Sequence, residues 1–271
     1  GAFENPKPDG AFCDRFVAKI KEVIDKYGPD LLWFDGRMHT ISERHRKEFV
    51  AYYYNWALNH NRDVGITYKD QDLPTGVGIL DIERGRMGDL KDFPWLTDDS
   101  ICWKSWAHLS HPDYKSTKRI IDSLVDIVSK NGQLLLNITP TADGEIPQPV
   151  QERLLGVGSW LEVNGEAIYE TRPWRVFGEG PAKVHEGHFS EKNNPDLTVQ
   201  DIRFTTKGDH LYAICMGIPV QPVRVESITP QALGAQRIVD VSVLGVDNRP
   251  RWALDAGGLT LDPPDVKPCE H

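Results

Sequence analysis

The chain has 271 residues, 39% hydrophobic and 26% charged, which suits one large or two modest globular domains. Lys and Arg total 31 against 40 Asp and Glu, for a net charge of −9, so the basic stripe of a nucleic-acid binder is missing. No apolar run reaches the roughly 18 residues of a membrane span, and Gly1–Pro6 does not read as a signal peptide. Cys13, Cys102, Cys215 and Cys269 are scattered without CxxC spacing, which excludes a zinc ribbon and a disulfide-dense scaffold.

Residues 1–171 alternate helix-like and strand-like segments. Over Asp14–Tyr27, Phe16, Val17, Ile20, Val23, Ile24 and Tyr27 recur at helical spacing, and Gly28-Pro29 stops the helix. Leu31–Phe34 is a short, continuously apolar strand of the kind buried on both faces of a parallel sheet. A second helix is predicted over Ser42–His60, and its basic start, Arg44–Lys47, reads as a solvated face beside Glu43 and Glu48. Strands are predicted at Val64–Tyr68 and Val77–Ile82, with a weaker one at Ser100–Trp106. A third helix spans Thr117–Lys130 and ends at Asn131-Gly132; a buried strand follows at Leu134–Ile138, then a fourth helix at Val150–Val163. Strands separated by helices imply βαβ units and an α/β architecture.

In residues 172–271 the rhythm becomes that of a β-sandwich. Asp201–Thr206 and His210–Met216 flank Lys207-Gly208-Asp209, a hairpin signal. Further strands are expected at Arg237–Leu244, Arg251–Leu254 and Leu259–Leu261.

The carboxylates carry the chemical signal. Asp35 leaves an apolar strand at its C-terminal end, where a parallel barrel presents catalytic side chains; the other reading is a loop aspartate that caps the next helix. Asp81 and Glu83 end another predicted strand, and on a strand they would share a face. Carboxylates from two strand ends in one cleft suit glycoside hydrolysis, in which one attacks the anomeric carbon and the other protonates the leaving oxygen. Ion pairing of Glu83 with Arg84 or Arg86 is the competing explanation. Trp33, Trp95, Trp103 and Trp106 lie near predicted strand ends, where flat aromatic faces suit a sugar ring. Motifs for dinucleotide, P-loop, HExxH or GxSxG chemistry are missing, and His108 and His111 have no element to aim both at one metal. Neither a metal nor a cofactor is expected.

Tyr27–Gly36, with Trp33-Phe34-Asp35-Gly36 at its end, resembles the nucleophile motif of α-L-fucosidases, family 29 of the glycoside hydrolases. Asp81–Gly85, Pro94–Ile101, Ser105-Trp106, Gly132–Ile138, Asp143–Pro147, Trp160–Tyr169 and Gln200–Thr205 follow in the family's order. The resemblance implies a (β/α)8-type barrel followed by an all-β sandwich-like domain, and retaining hydrolysis of terminal α-L-fucose from fucosylated glycans. It implies Asp35 as the nucleophile and Glu83 as the acid/base, with Asp81 its near competitor. Trp33 and Trp106 would line the fucose pocket, and Lys69 stands where many relatives have a sugar-contacting arginine. In a retaining enzyme the two carboxyls lie about 5–5.5 Å apart.

The family's barrel has three βα units before the Asp35 strand, and nothing here matches them. An eight-stranded barrel takes about 250 residues. The expected fold is therefore a barrel lacking its first βα units, completed by a second chain, a second copy or a longer natural protein. The alternative is an inactive fragment with at most weak sugar binding; a stand-alone carbohydrate-binding module would not need the paired carboxylates. The family's members are mostly secreted, periplasmic or lysosomal.

Overall fold

The computed structural model describes residues 7–265, 267 and 269, so the reading of Gly1–Pro6 lies outside the described residues. The chain divides into two compact units. One comprises residues up to Ile82 with Phe93–Leu96; the other comprises Glu83–Asp92 and Thr97 onward.

The first unit begins with α1 (Gly10–Tyr27). The Asp9 side chain accepts the Phe12 N–H at 2.7 Å, an N-cap worth about 1 kcal/mol. Gly28 closes the helix at φ +52°, donating its N–H to the Ile24 carbonyl. A Cβ there would stand 2.8 Å from the Trp56 ring, so this position requires glycine on two counts. Strand β1 (Leu31–Trp33) is followed by α2 (Glu43–Asn59), β2 (Gly65–Tyr68) and β3 (Ile79–Asp81). Helices α1 and α2 cover one side of these strands. Val17, Ile20, Ile24, Phe49, Tyr53 and Ile66 form the centre of that core. The expected helix face at Arg44–Lys47 is only partly solvated: His45 is buried, holding Asp14 at 2.9 Å, and Arg46 donates to the Asp72 carbonyl.

Strand β4 (Trp95–Ser100) runs through the division, and β5 (Gly132–Asn137) completes a sheet of order β1-β2-β3-β4-β5. The pairs β1–β2, β2–β3 and β3–β4 are parallel, as expected of successive barrel strands. Strand β1 is an edge of this sheet, and its Leu31 and Trp33 are exposed, so the expected burial on both faces does not hold there.

The weak strand predicted at Ser100–Trp106 is displaced: the strand is β4, and the chain beyond Ser100 is irregular. All six β4 residues are buried although four of them, Thr97-Asp98-Asp99-Ser100, are polar. Each polar side chain needs a partner to lie there. Thr97 donates to the Gly85 carbonyl at 2.8 Å, Asp99 takes Lys115, and Ser100 donates to the Ser105 carbonyl at 2.8 Å.

In the second unit, α3 (Thr117–Ser129) and α4 (Gln148–Asn164) share a core with later residues through Ile121, Val125, Trp160, Leu197 and Met216. Gly156 of α4 lies where a Cβ would meet the Thr117 methyl at 2.8 Å, so it is a packing glycine. Antiparallel pairing begins at β6 (Arg172–Glu179), which joins β7 (Ile202–Lys207) and β8 (His210–Cys215) in the order β6-β7-β8. The β7–β8 hairpin turns at Gly208-Asp209 as expected. A second sheet, of order β10-β11-β9, consists of β9 (Val223–Val225), β10 (Trp252–Asp255) and β11 (Gly258–Leu261). A short helix, α5 (Pro230–Leu233), follows β9. Phe204, Val225, Leu259 and Trp174 fill one core from both sheets, the sandwich arrangement. The strand expected at Arg237–Leu244 is not formed; its alternating valines find no edge to pair with, and Val239 is 86% exposed.

Candidate active site

Three neighbouring strand ends of the first unit bring together Asp35, Lys69 and Asp81. Alternation along the extended chain sends Leu32 and Phe34 into the helical core, where Phe34 packs 5.5 Å from Phe49. Trp33 and Asp35 therefore take the opposite side. Gly36 at φ +75° and Arg37 at φ +60° turn the chain away immediately afterwards. Ser42 stands at the N-cap of α2, so Asp35 is not that helix's cap.

Lys69 follows β2 directly and is buried. Its Nζ lies 3.6 Å from Asp35 Oδ1 and 3.6 Å from Asp81 Oδ2. Asp81, the last residue of β3, is fully buried and also accepts the Trp33 indole N–H at 2.8 Å. The ammonium stands 5.6 Å from the centre of the Trp33 ring. A lone buried carboxylate would be costly, and Asp81 offsets that cost with a cation and a donor. Asp35 differs: its side chain is 70% exposed and meets the same lysine from the solvent side. The arrangement is thus an accessible carboxylate whose inner flank is fixed positive charge and an aromatic face.

Glu83 belongs to the second unit. Strand β3 stops at Asp81, and Glu83 lies in the turn beyond, so strand alternation does not relate the two as expected. Glu83 is half-buried, and Arg84 turns the chain at φ +46°. The turn is clamped by a later segment. The Glu83 N–H donates to His188 Nδ1 at 3.0 Å, and the Glu83 carbonyl accepts the Phe189 N–H at 2.8 Å. Of the two arginines expected to compete for Glu83, Arg84 pairs with Glu191 at 2.6 Å and Arg86 with Asp126 at 3.2 Å.

Arg84 also lies 5.1 Å from the centre of the Trp106 ring, which is 37% exposed. Lys115 bridges Asp99 and Glu191 at 2.5 Å each, and its ammonium lies 4.7 Å from the Trp103 ring centre. Burial raises the Glu191 carboxyl above its ordinary range, and Asp99 adds to that, against the pull of Lys115. Trp95, in contrast, is fully buried at the start of β4 and serves the core.

Sequence reasoning missed His39 and Asp72. The His39 ring Nδ1 and its backbone N–H both contact Asp72 Oδ1, each at 2.8 Å. They are 33 residues apart and match no motif, so no local signal would have paired them. His108 and His111 are exposed, and among the described residues no group of three His, Cys, Asp or Glu could hold a metal ion.

The family model for α-L-fucosidase matches residues 2–166. The tissue α-L-fucosidase of Bos taurus is 30% identical over 262 residues, 90% of this chain and 49% of that protein. The tissue α-L-fucosidase of Homo sapiens is 30% identical over 286 residues, covering 97% of this chain and 54% of that protein. The chain thus spans about half the length of the curated relatives it matches. Among solved structures, Thermotoga maritima α-fucosidase in complex with fucose aligns at a TM-score of 0.71 with 24% identity, over 95% of this chain and 53% of that one. An α-L-fucosidase structure aligns at 0.72 with 25% identity, over 94% of this chain and 53% of that one. A half-barrel parallel sheet followed by antiparallel sheets is the shared architecture. The chain belongs to the α-L-fucosidase family, family 29 of the glycoside hydrolases.

Proposed function

We propose that this chain supplies the nucleophile and the acid/base of a retaining exo-α-L-fucosidase acting on fucosylated glycans. Asp35 attacks the anomeric carbon, giving a covalent glycosyl-enzyme. Glu83 protonates the departing oxygen and then activates water. The observation that carries the reading is the accessible Asp35 carboxylate held beside buried Lys69 at the end of a parallel strand. The ammonium lies within 3.6 Å of the carboxylate and can hold it in place for attack, and Trp33 offers a flat face for the sugar. The full burial of Asp81 between Lys69 and Trp33 favours Glu83 over it as the proton donor. Residues 1–171 would form the barrel portion and 172–271 the β-sandwich; the start of antiparallel pairing at Arg172 supports that boundary.

The test is release of nitrophenol from an aryl α-L-fucoside. Turnover that is lost in Asp35→Ala and regained with azide is the expected result; normal turnover in that variant removes Asp35 from the role. A second reading, an inactive fragment with weak sugar affinity, draws support from the chain's spanning about half the length of its curated relatives. It predicts fucose binding without turnover by this chain, and turnover only when the remaining barrel strands are supplied by a longer protein or a second chain.

A further inference from the structure

The loop that follows Asp35 carries a second polar device that the fucosidase reading leaves unused. Gly36 and Arg37 turn the chain through positive φ, and Met38 plugs the loop into the core at 3% exposure. His39 is then clipped twice to one oxygen of Asp72, by its backbone N–H and by its ring Nδ1. Asp72 is 1% exposed, and its other carboxylate oxygen, Oδ2, is buried without a hydrogen-bond partner. The His39 side chain is 62% exposed.

A histidine held at Nδ1 by a buried carboxylate has a fixed ring plane. Its Nε2 lies on the ring edge opposite Asp72, where it can share a hydrogen bond with a hydroxyl, a group that both donates and accepts. The ring has been made rigid before anything binds, which lowers the entropy cost of a contact. Such an anchor is superfluous for a solvated surface histidine.

Its place decides what it meets. Lys69, Trp33 and Asp81 form the inner flank of Asp35. His39 comes four residues after Asp35 with an exposed side chain, and its partner Asp72 reaches this loop, since a Cβ at Gly36, the residue after Asp35, would stand 3.9 Å from Asp72 Oδ2 and 3.7 Å from the Lys69 Cβ. An exo-acting site takes the terminal sugar inward and leaves the rest of the glycan at the rim.

We propose that His39, oriented by Asp72, is a specificity-determining contact for a hydroxyl of the saccharide to which the fucose is attached. This inference rests on the fucosidase reading of Asp35. Asp72 is a positioning residue that acts through the ring.

The test measures equilibrium binding in an Asp35→Asn background, which stops turnover. The ligands are methyl α-L-fucoside and α-L-fucosyl disaccharides in 1→2, 1→3, 1→4 and 1→6 linkages. The parent should bind at least one disaccharide more tightly than the methyl glycoside. In His39→Ala that preference should fall roughly tenfold, the size of one well-placed hydrogen bond, and His39→Gln should restore part of it. Asp72→Asn should lower the preference less and weaken the protected imidazole N–H resonance of His39. A preference unchanged in His39→Ala, or no disaccharide preference in the parent, overturns the assignment while leaving the fucoside reading intact. Failure of the parent to bind any fucoside overturns both.

Discussion

Each compact unit buries an aspartate against positive charge, and the two do opposite things. In the first, Asp81 shares one ammonium, Lys69, with the solvent-facing Asp35. In the second, Asp126 of α3 is sealed among Arg86 at 3.2 Å, Lys130 at 2.9 Å and Arg203 of β7 at 2.7 Å, with Lys130 and Arg203 also against the Phe177 ring. Asp126 ties the turn after Glu83, a barrel-side helix and a β-sandwich strand to one point. The contrast teaches that burial alone does not mark chemistry. An ion cluster with an accessible member can meet a substrate; a sealed one fixes elements to each other, and removing one partner strands the rest.

Mutations should separate the two clusters. Asp35→Ala is expected to cost at least ~10³-fold in fucoside turnover, as loss of a nucleophile does, while the urea midpoint stays within the small range of surface changes. Equal loss of stability in that variant would merge the two clusters into one structural class. Asp126→Ala should show the reverse pattern, losing about 3–5 kcal/mol of unfolding free energy because three cations lose their shared partner.

The same residue sets an acid limit. Burial pushes the Asp126 carboxyl up, but Lys130, Arg86 and Arg203 together outweigh it and hold it below its ordinary value of 3.8. A depressed folded-state value means that the stabilisation is present above 3.8 and is lost as pH falls through the folded-state value. Acid titration of stability should therefore steepen below that point in the parent and lose this component in Asp126→Asn.

Gly85→Ala probes the clamp on the Glu83 turn. Its Cβ would lie 1.9 Å from the Gly187 carbonyl oxygen, so a loss of about 1–3 kcal/mol is expected, with a drop in turnover if the turn shifts. Unchanged stability would mean that the turn relaxes without the clamp. The smallest effect is chemical. Burial, aided by Glu179, pushes the Cys215 thiol up to about 11, so at pH 8 it should resist iodoacetamide in the folded protein and react after unfolding, as read by peptide mapping.

Helices α1 and α3 were legible because an apolar stripe every 3.6 residues is a local property, and Gly28 and Asn131 marked their ends at positive φ. Asp35 was legible because a carboxylate straight after a short apolar run is rare core material. Strand β4 was misplaced because Thr97–Ser100 looks like a loop until Lys115 and the Gly85 carbonyl are found beside it. At 237–244 the error ran the other way: valines alternate there as in a strand, yet pairing requires a neighbouring edge that composition cannot announce.

The sequence by itself determined the alternation of helix and strand, the switch to β structure and the family. Tertiary structure decided which side chains share charge. It placed Lys69 between Asp35 and Asp81, buried Asp81, paired Arg84 with Glu191 and Arg86 with Asp126, and joined His39 to Asp72. Periodicity is written along the chain, whereas the neutralisation of a buried charge depends on which strand ends and loops lie side by side.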